Sequence, residues 1–198
     1  MRLTSNIPVP AKTLAVLAVL AVLAVLAVPA VPALAAPPGP HAHGVAELRV
    51  VVDGAQLEVA LESPLDNVLG FEHPPRTEKD RAAVRAMAGK LRQAQTLFKP
   101  TAAAQCTLAS VQLVSAALPA ELLGEARPAA AAAPKDADAH SDLDARFMFK
   151  CASPALLKGM DLGLMAAFPG LRKLNVQVVA PKGQSATVLT PGKRSLSW

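Results

Sequence analysis

The chain is poor in aromatic residues: tyrosine is absent, and 198 residues include one tryptophan and five phenylalanines. Proteins that bind nucleic acid commonly stack bases on aromatic side chains and gather their basic residues into a patch. Here the 20 Lys and Arg are scattered among 15 Asp and Glu, for a formal net charge of +5. We therefore do not expect a nucleic-acid partner.

Cysteine and catalytic motifs are also scarce. The two cysteines, Cys106 and Cys151, form no C-x-x-C pair of the kind found in thiolate metal sites or redox sites. The sequence also lacks G-x-S-x-G, H-E-x-x-H and glycine-rich phosphate-binding motifs. These absences predict a protein that is not an enzyme.

The longest hydrophobic run is too short for a membrane-spanning helix. Residues 14–28 are 15 consecutive apolar residues, whereas a helix needs about 20 to cross a bilayer. The run follows two basic residues and precedes Ala33-Leu34-Ala35, which is the pattern of a cleavable secretory signal. We expect residues 1–35 to be a signal peptide and 36–198 to be one exported domain; a retained membrane anchor is the alternative.

Two cysteines in an exported chain predict a disulfide between Cys106 and Cys151. The bridge would close a loop of 45 residues, and we expect its Cα atoms about 4.4–6.8 Å apart. A cysteine-based metal or redox site is the alternative.

Alternation of apolar and polar residues predicts strands at 47–52 and 56–62. Asp53-Gly54 lies between them and is typical of two-residue hairpin turns. A turn at that dipeptide pairs Val50 with Leu57. The clearest alternation comes later, where one face of a strand carries Leu143, Ala145, Phe147, Phe149 and Cys151.

A helix is predicted from Thr77 to about Gln95, because Thr77 is followed by charged residues typical of a first turn. Its apolar face carries Val84, Met87 and Leu91. The remaining expected elements are a bulged strand at 106–115, a strand near 160–164, a helical turn at 165–168, and strands at 174–179 and 186–189.

The expected fold class is α+β, with antiparallel β-hairpins forming a sheet, one longer helix and one short helical turn. His43 and His140 each precede an acidic residue by four positions and an arginine by six, which indicates a two-unit internal repeat. The Ala- and Pro-rich segment at about 119–139 is expected to be a flexible insertion.

The four histidines are the candidates for chemistry. His41 and His43 are two residues apart, so their rings face the same side of an extended chain. His140 and Asp142 offer nitrogen and oxygen donors at the same spacing, and Glu72-His73 is another donor pair. Imidazole and carboxylate donors without thiolate suit Zn²⁺ better than Cu(I). The expected zinc ligands are His41, His43, His140, Asp142 and His73.

Six motifs run in order through the domain: HAHG at 41–44, ESPLDNVLGFEHP at 62–74, HSDLD at 140–144, AFPG at 167–170, NVQV at 175–178 and GQSA at 183–186. In these motifs the chain resembles the ZrgA-like family of zinc-regulated periplasmic zinc-binding proteins of Gram-negative bacteria. The resemblance implies a periplasmic protein, free of the membrane in its mature form, that binds zinc and assists its uptake or buffering. Its implied partner is a periplasmic zinc-uptake component.

One departure from the family concerns the tract before the HSDLD motif, which in members of the family is often rich in histidine and acidic residues. Here residues 125–140 contain a single histidine. We therefore expect a zinc site built by the ordered core rather than by such a tract. The alternative function is a non-metal envelope interaction module, in which the loop at 62–75 is a docking surface and the histidines are solvated surface residues.

Overall fold

The computed structural model describes residues 42–126 and 141–198, which lie in one compact unit. These residues form strands and helices in agreement with the expected α+β class. In chain order they are β1 Val45–Asp53, β2 Gln56–Pro64, α1 Leu65–Leu69, α2 Glu78–Arg92, α3 Ala94–Leu97, β3 Phe98–Pro100, β4 Cys106–Val114, α4 Ala120–Leu123, β5 Asp142–Cys151, β6 Gly159–Leu162, α5 Leu164–Ala167, β7 Lys173–Ala180, β8 Gly183–Leu189 and β9 Ser195–Ser197.

Six strands form one sheet in the order β4-β5-β2-β1-β7-β8, and β3, β6 and β9 form a second, three-stranded sheet. The pairings are antiparallel except for β1 with β7, which is parallel. That parallel contact was not predicted. It joins the β1–β2 hairpin to the β7–β8 hairpin, and the long chain between them allows the crossover that parallel strands require.

The first hairpin is confirmed, but its predicted register is wrong. The two-residue turn is Gly54-Ala55, and Val50 pairs with Val59 instead of Leu57. Gly54 has a φ of +53°, a left-handed conformation that glycine adopts without strain. The shift moves each partner by two residues, so every side chain keeps its face of the sheet. The alternation pattern therefore fits both registers equally well.

The predicted buried faces of strand β5 and helix α2 are confirmed. Strand β5 alternates buried and accessible residues along its whole length, and the ring of Phe147 lies 4.7 Å from that of Phe98. Helix α2 begins after Thr77, whose side chain accepts a hydrogen bond from the Asp80 amide in a capping box. The helix ends at Arg92, before the predicted Gln95. Its buried residues are Val84, Met87, Ala88 and Leu91.

The bulge predicted in β4 is confirmed by a register shift between Leu108 and Ser110. Because of this extra residue, Leu108 and Val111 both pack against the hydrophobic core, although strict alternation would place them on opposite faces.

The first residues of the predicted flexible segment are packed rather than loose. Residues Ala120–Leu123 form helix α4, and Leu123 is buried. Arg92 reaches this turn, donating to the Leu123 carbonyl and pairing with Glu125 at 2.6 Å. The rest of the segment, from residue 127, lies outside the described residues.

The predicted disulfide between Cys106 and Cys151 is confirmed. The Cα atoms are 3.8 Å apart, so the expected separation of about 4.4–6.8 Å is wrong. The two cysteines are direct partners across β4 and β5. The next pair along is hydrogen-bonded, since the Ala152 amide donates to the Gln105 carbonyl. The cysteines therefore occupy a non-hydrogen-bonded position, where antiparallel strands approach most closely.

The two-unit repeat is not confirmed. Strand β1 continues into a hairpin with β2, whereas β5 pairs with β2 and β4. The strand after β5, which is β6, pairs with β3 and β9 in the second sheet.

The predicted helical turn near 165–168 is present as α5.

Within residues 42–126 and 141–198, no helix has the length and apolar character needed to cross a bilayer.

Candidate functional site

Strands β1 and β5 begin at the same end of the six-stranded sheet. Both flank β2 and run antiparallel to it, and Glu62 of β2 pairs with Glu47 on one side and Asp144 on the other. His43 precedes Glu47 by four residues, and His140 precedes Asp144 by the same number. The segments that lead into β1 and β5 therefore join the sheet at one end, separated by a single strand.

The loop that follows β2 crosses this end of the sheet and contacts the chain on both sides. Next to β5, the Leu65 amide donates to the Ser141 carbonyl at 2.8 Å. The Ser141 hydroxyl donates to the backbone carbonyl of Glu72 at 2.5 Å. Residue 140 therefore directly precedes a residue, Ser141, that contacts Glu72.

On the β1 side, the same loop brings two carboxylates to His43. The His43 Nδ1 lies 2.8 Å from an Asp66 carboxylate oxygen, and its Nε2 lies 4.0 Å from a Glu72 carboxylate oxygen. The His43 side chain is 64% exposed, and those of Asp66 and Glu72 are 35% and 40% exposed. This group, His43 with Asp66 and Glu72, is called the histidine–carboxylate cluster below.

The cluster shifts the proton affinity of its imidazole. The hydrogen bond to Asp66, followed by the negative charges of Glu72 and Asp66, raises the pKa of His43 above its ordinary value. The imidazolium form is therefore favoured in the folded protein. The stabilisation that this charged ring gives the folded state is complete below the unfolded-state pKa of about 6.5. It disappears as the pH rises through the pKa of His43 in the folded state.

Titration of the metal-free protein is expected to show this shift. In histidine-ring NMR spectra, the midpoint for His43 should lie above about 6.5. Asp66→Asn should move it back toward that value, because the charged acceptor is lost. A His43 midpoint that Asp66→Asn leaves unchanged would contradict the contact.

The other predicted ligands are distributed as follows. His73 stacks on Phe71, with ring centroids 4.9 Å apart, and its Nδ1 lies 2.9 Å from the Pro74 carbonyl; the described contacts do not bring it to His43. Asp142 is half-buried at the start of β5, opposite Pro64. His41 and His140 lie outside the described residues.

Sequence reasoning missed the role of the two carboxylates. The sequence pairs Glu72 with His73 as a possible donor but predicts neither Glu72 nor Asp66 as a partner of His43. Their contact with His43 depends on a fold-back of the β2–α2 loop, which no local sequence pattern indicates. Among the described residues, no group of three or more His, Cys, Asp or Glu side chains is arranged to hold a metal ion. The histidine–carboxylate cluster is therefore a partial donor set at the end of the sheet where β1 and β5 begin.

Comparison with known proteins gives one family. The model of a family described as "ZrgA family zinc uptake protein" matches residues 40–198, which is most of the chain. No curated protein matches the chain.

Proposed function

The chain belongs to the ZrgA family of zinc uptake proteins, and on this premise we propose that it binds Zn²⁺ in the periplasm at the histidine–carboxylate cluster. It then passes the ion to a periplasmic zinc-uptake component. The observation that carries the proposal is the contact of an exposed imidazole with two carboxylates at the end of the sheet where β1 and β5 begin. In this role zinc is cargo, and the protein needs no catalytic group.

Asp66 and Glu72 have different roles in the proposed site. Histidines that bind metal usually donate their second ring N–H to a carboxylate, which orients the ring. Asp66 accepts such a bond from His43 Nδ1 at 2.8 Å. In the neutral ring this leaves the lone pair on Nε2, the atom that faces Glu72.

The Glu72 carboxylate is then the second zinc ligand. Two ligands of a tetrahedral zinc ion, each about 2.0–2.1 Å from the metal, lie about 3.3 Å from each other. The present separation of His43 Nε2 and the Glu72 oxygen is 4.0 Å. Because the Glu72 side chain is substantially exposed, it can rotate to close this small difference while His43 keeps its bond to Asp66. Donor types and spacing therefore fit zinc.

His41 and His140 are proposed as the remaining ligands. They lie outside the described residues, and their assignment depends on chain connectivity: His41 is two residues before His43, and His140 directly precedes Ser141, which contacts Glu72. Asp142 is the alternative to one of them. We leave His73 out of the set because its ring is stacked on Phe71.

Periplasmic location is proposed from the disulfide, which needs an oxidising compartment, and from the signal-like pattern of residues 1–35. Exposure of the cluster suits transfer, because a partner can approach the bound ion without opening the domain. The rival function, a docking module without metal, places the same loop against a protein partner.

Zinc titration of residues 36–198 by calorimetry, repeated across pH, tests the proposal. We expect binding that weakens as pH falls, by about tenfold per pH unit for each imidazole that must lose its proton. The decline should begin above about 6.5, because the pKa of His43 is raised. Affinity that stays constant from pH 8 to 5.5 would exclude histidine ligands. Absence of binding at neutral pH would favour the docking module.

A further inference from the structure

Asn67 is one of two polar residues that are buried among the described residues, and it directly follows Asp66 of the histidine–carboxylate cluster. The residue is 2% exposed, and both ends of its side-chain amide are bonded. The carbonyl oxygen accepts from the Gly44 amide at 2.5 Å. The amide nitrogen donates to the Val45 carbonyl at 2.8 Å and to the Ser63 hydroxyl at 3.2 Å.

These bonds join the two segments that carry the cluster. Gly44 and Val45 directly follow His43, whereas Asn67 follows Asp66 in helix α1. One buried amide therefore fixes the backbone after the imidazole relative to the backbone of its carboxylate partner. A buried polar group bonded at both ends holds its neighbours in one arrangement, because each broken bond would leave an unsatisfied buried group.

The backbone at Gly44 depends on this support. Gly44 has a φ of +82°, and its carbonyl accepts hydrogen bonds from the amides of Arg172 and Lys173 at 2.8 and 2.9 Å. Its own amide has its side-chain partner in Asn67. Without the Asn67 side chain, the Gly44 carbonyl keeps its bonds to Arg172 and Lys173, but the Gly44 amide loses its buried bond to the loop that carries Asp66 and Glu72.

We infer that Asn67 is the positioning residue of the zinc site: it sets His43 against Asp66 and Glu72 and thereby raises the affinity for zinc, without touching the ion. This inference rests on the proposed function. The role falls to a buried residue whose side-chain oxygen is already bonded to the Gly44 amide.

Gly170 offers a way to disturb Asn67 without removing a hydrogen-bonding group. A Cβ atom added at Gly170 would lie 2.6 Å from the Asn67 backbone oxygen and 3.2 Å from its Cα. The contact with the oxygen is too close for a carbon atom, so Gly170→Ala must shift the backbone of residue 170 relative to that of Asn67. Asn67→Ala therefore removes the side-chain bonds of Asn67, and Gly170→Ala disturbs its backbone.

The test measures zinc affinity and unfolding stability for the wild type, Asn67→Ala, Gly170→Ala and a control, Thr101→Val. Thr101 also makes two hydrogen bonds, to Gly159 and Lys158, but it lies beside the second sheet. All three variants should lower stability. Only Asn67→Ala and Gly170→Ala should weaken zinc binding, by about 10- to 100-fold, as for other residues that orient a ligand.

A double-variant comparison separates positioning from a general structural role. In a His43→Ala background, Asn67→Ala should weaken zinc binding by no more than about twofold further, because its effect acts through His43. Full additivity of the two losses would overturn the inference. So would wild-type affinity in both Asn67→Ala and Gly170→Ala. If Asn67→Ala does not fold, the zinc affinity of Gly170→Ala alone tests the inference. Failure of the wild type itself to bind zinc overturns both the proposed function and this inference.

Discussion

Replacing Cys106 and Cys151 together with alanine is expected to lower the free energy of unfolding by about 4 kcal/mol. The bridge spans 45 residues, and a cross-link over a loop of that length removes much of the conformational entropy of the unfolded chain. It also ties the edge strand β4 to β5 at the end of their ladder. Equilibrium unfolding in denaturant measures the change.

Reduction of the wild-type protein supplies the control for this experiment. Reducing agent should destabilise the wild type by a similar amount and should leave the double-alanine variant unaffected. A loss below about 1 kcal/mol in the variant would mean that the bridge adds little to what the strand pairing already provides.

The second large effect concerns zinc. His43→Ala, and more strongly His43→Ala combined with His140→Ala, is expected to weaken zinc binding by at least about 100-fold, because losing a ligand costs more than losing a residue that only orients one. His43 is the one described imidazole that meets two carboxylates. Calorimetric titration at neutral pH measures the affinity.

His73→Ala is the matched control, since His73 lies on the same loop as Glu72 and its ring contacts Phe71 and Pro74. We expect its zinc affinity to match that of the wild type. Equal affinity in the wild type and in the His43/His140 double variant would show that neither residue is a ligand. The docking-module function would then be the better account of the loop.

Much of the fold was predictable because burial leaves a period in the sequence. The face of β5 that carries Phe147 and the face of α2 that carries Val84 followed from alternation and helical spacing alone. The register of the β1–β2 hairpin did not follow from these patterns. A shift of two residues in the β1–β2 hairpin preserves which side chains are buried, and the choice of Gly54-Ala55 depends on backbone conformation at Gly54.

The candidate site was predictable only in part, for a related reason. Histidines are rare in this chain, so His43 stood out from composition. The contact of His43 with Asp66 and Glu72 did not follow, because the residues between β2 and α2 show no periodicity that indicates how the loop folds back. Likewise, the parallel pairing of β1 with β7 joins residues more than a hundred positions apart, for example Leu48 and Val176. Local patterns carry no information about such contacts.

The most direct test of zinc binding at the cluster is a zinc titration of residues 36–198 followed by histidine-ring NMR. The chain has four histidines, so each ring can be assigned by single substitution. We predict that the His43 ring signals shift with the first equivalent of zinc and then stop changing, while the His73 signals keep their positions. Zinc binding that leaves the His43 ring signals unchanged would contradict the assignment of the site.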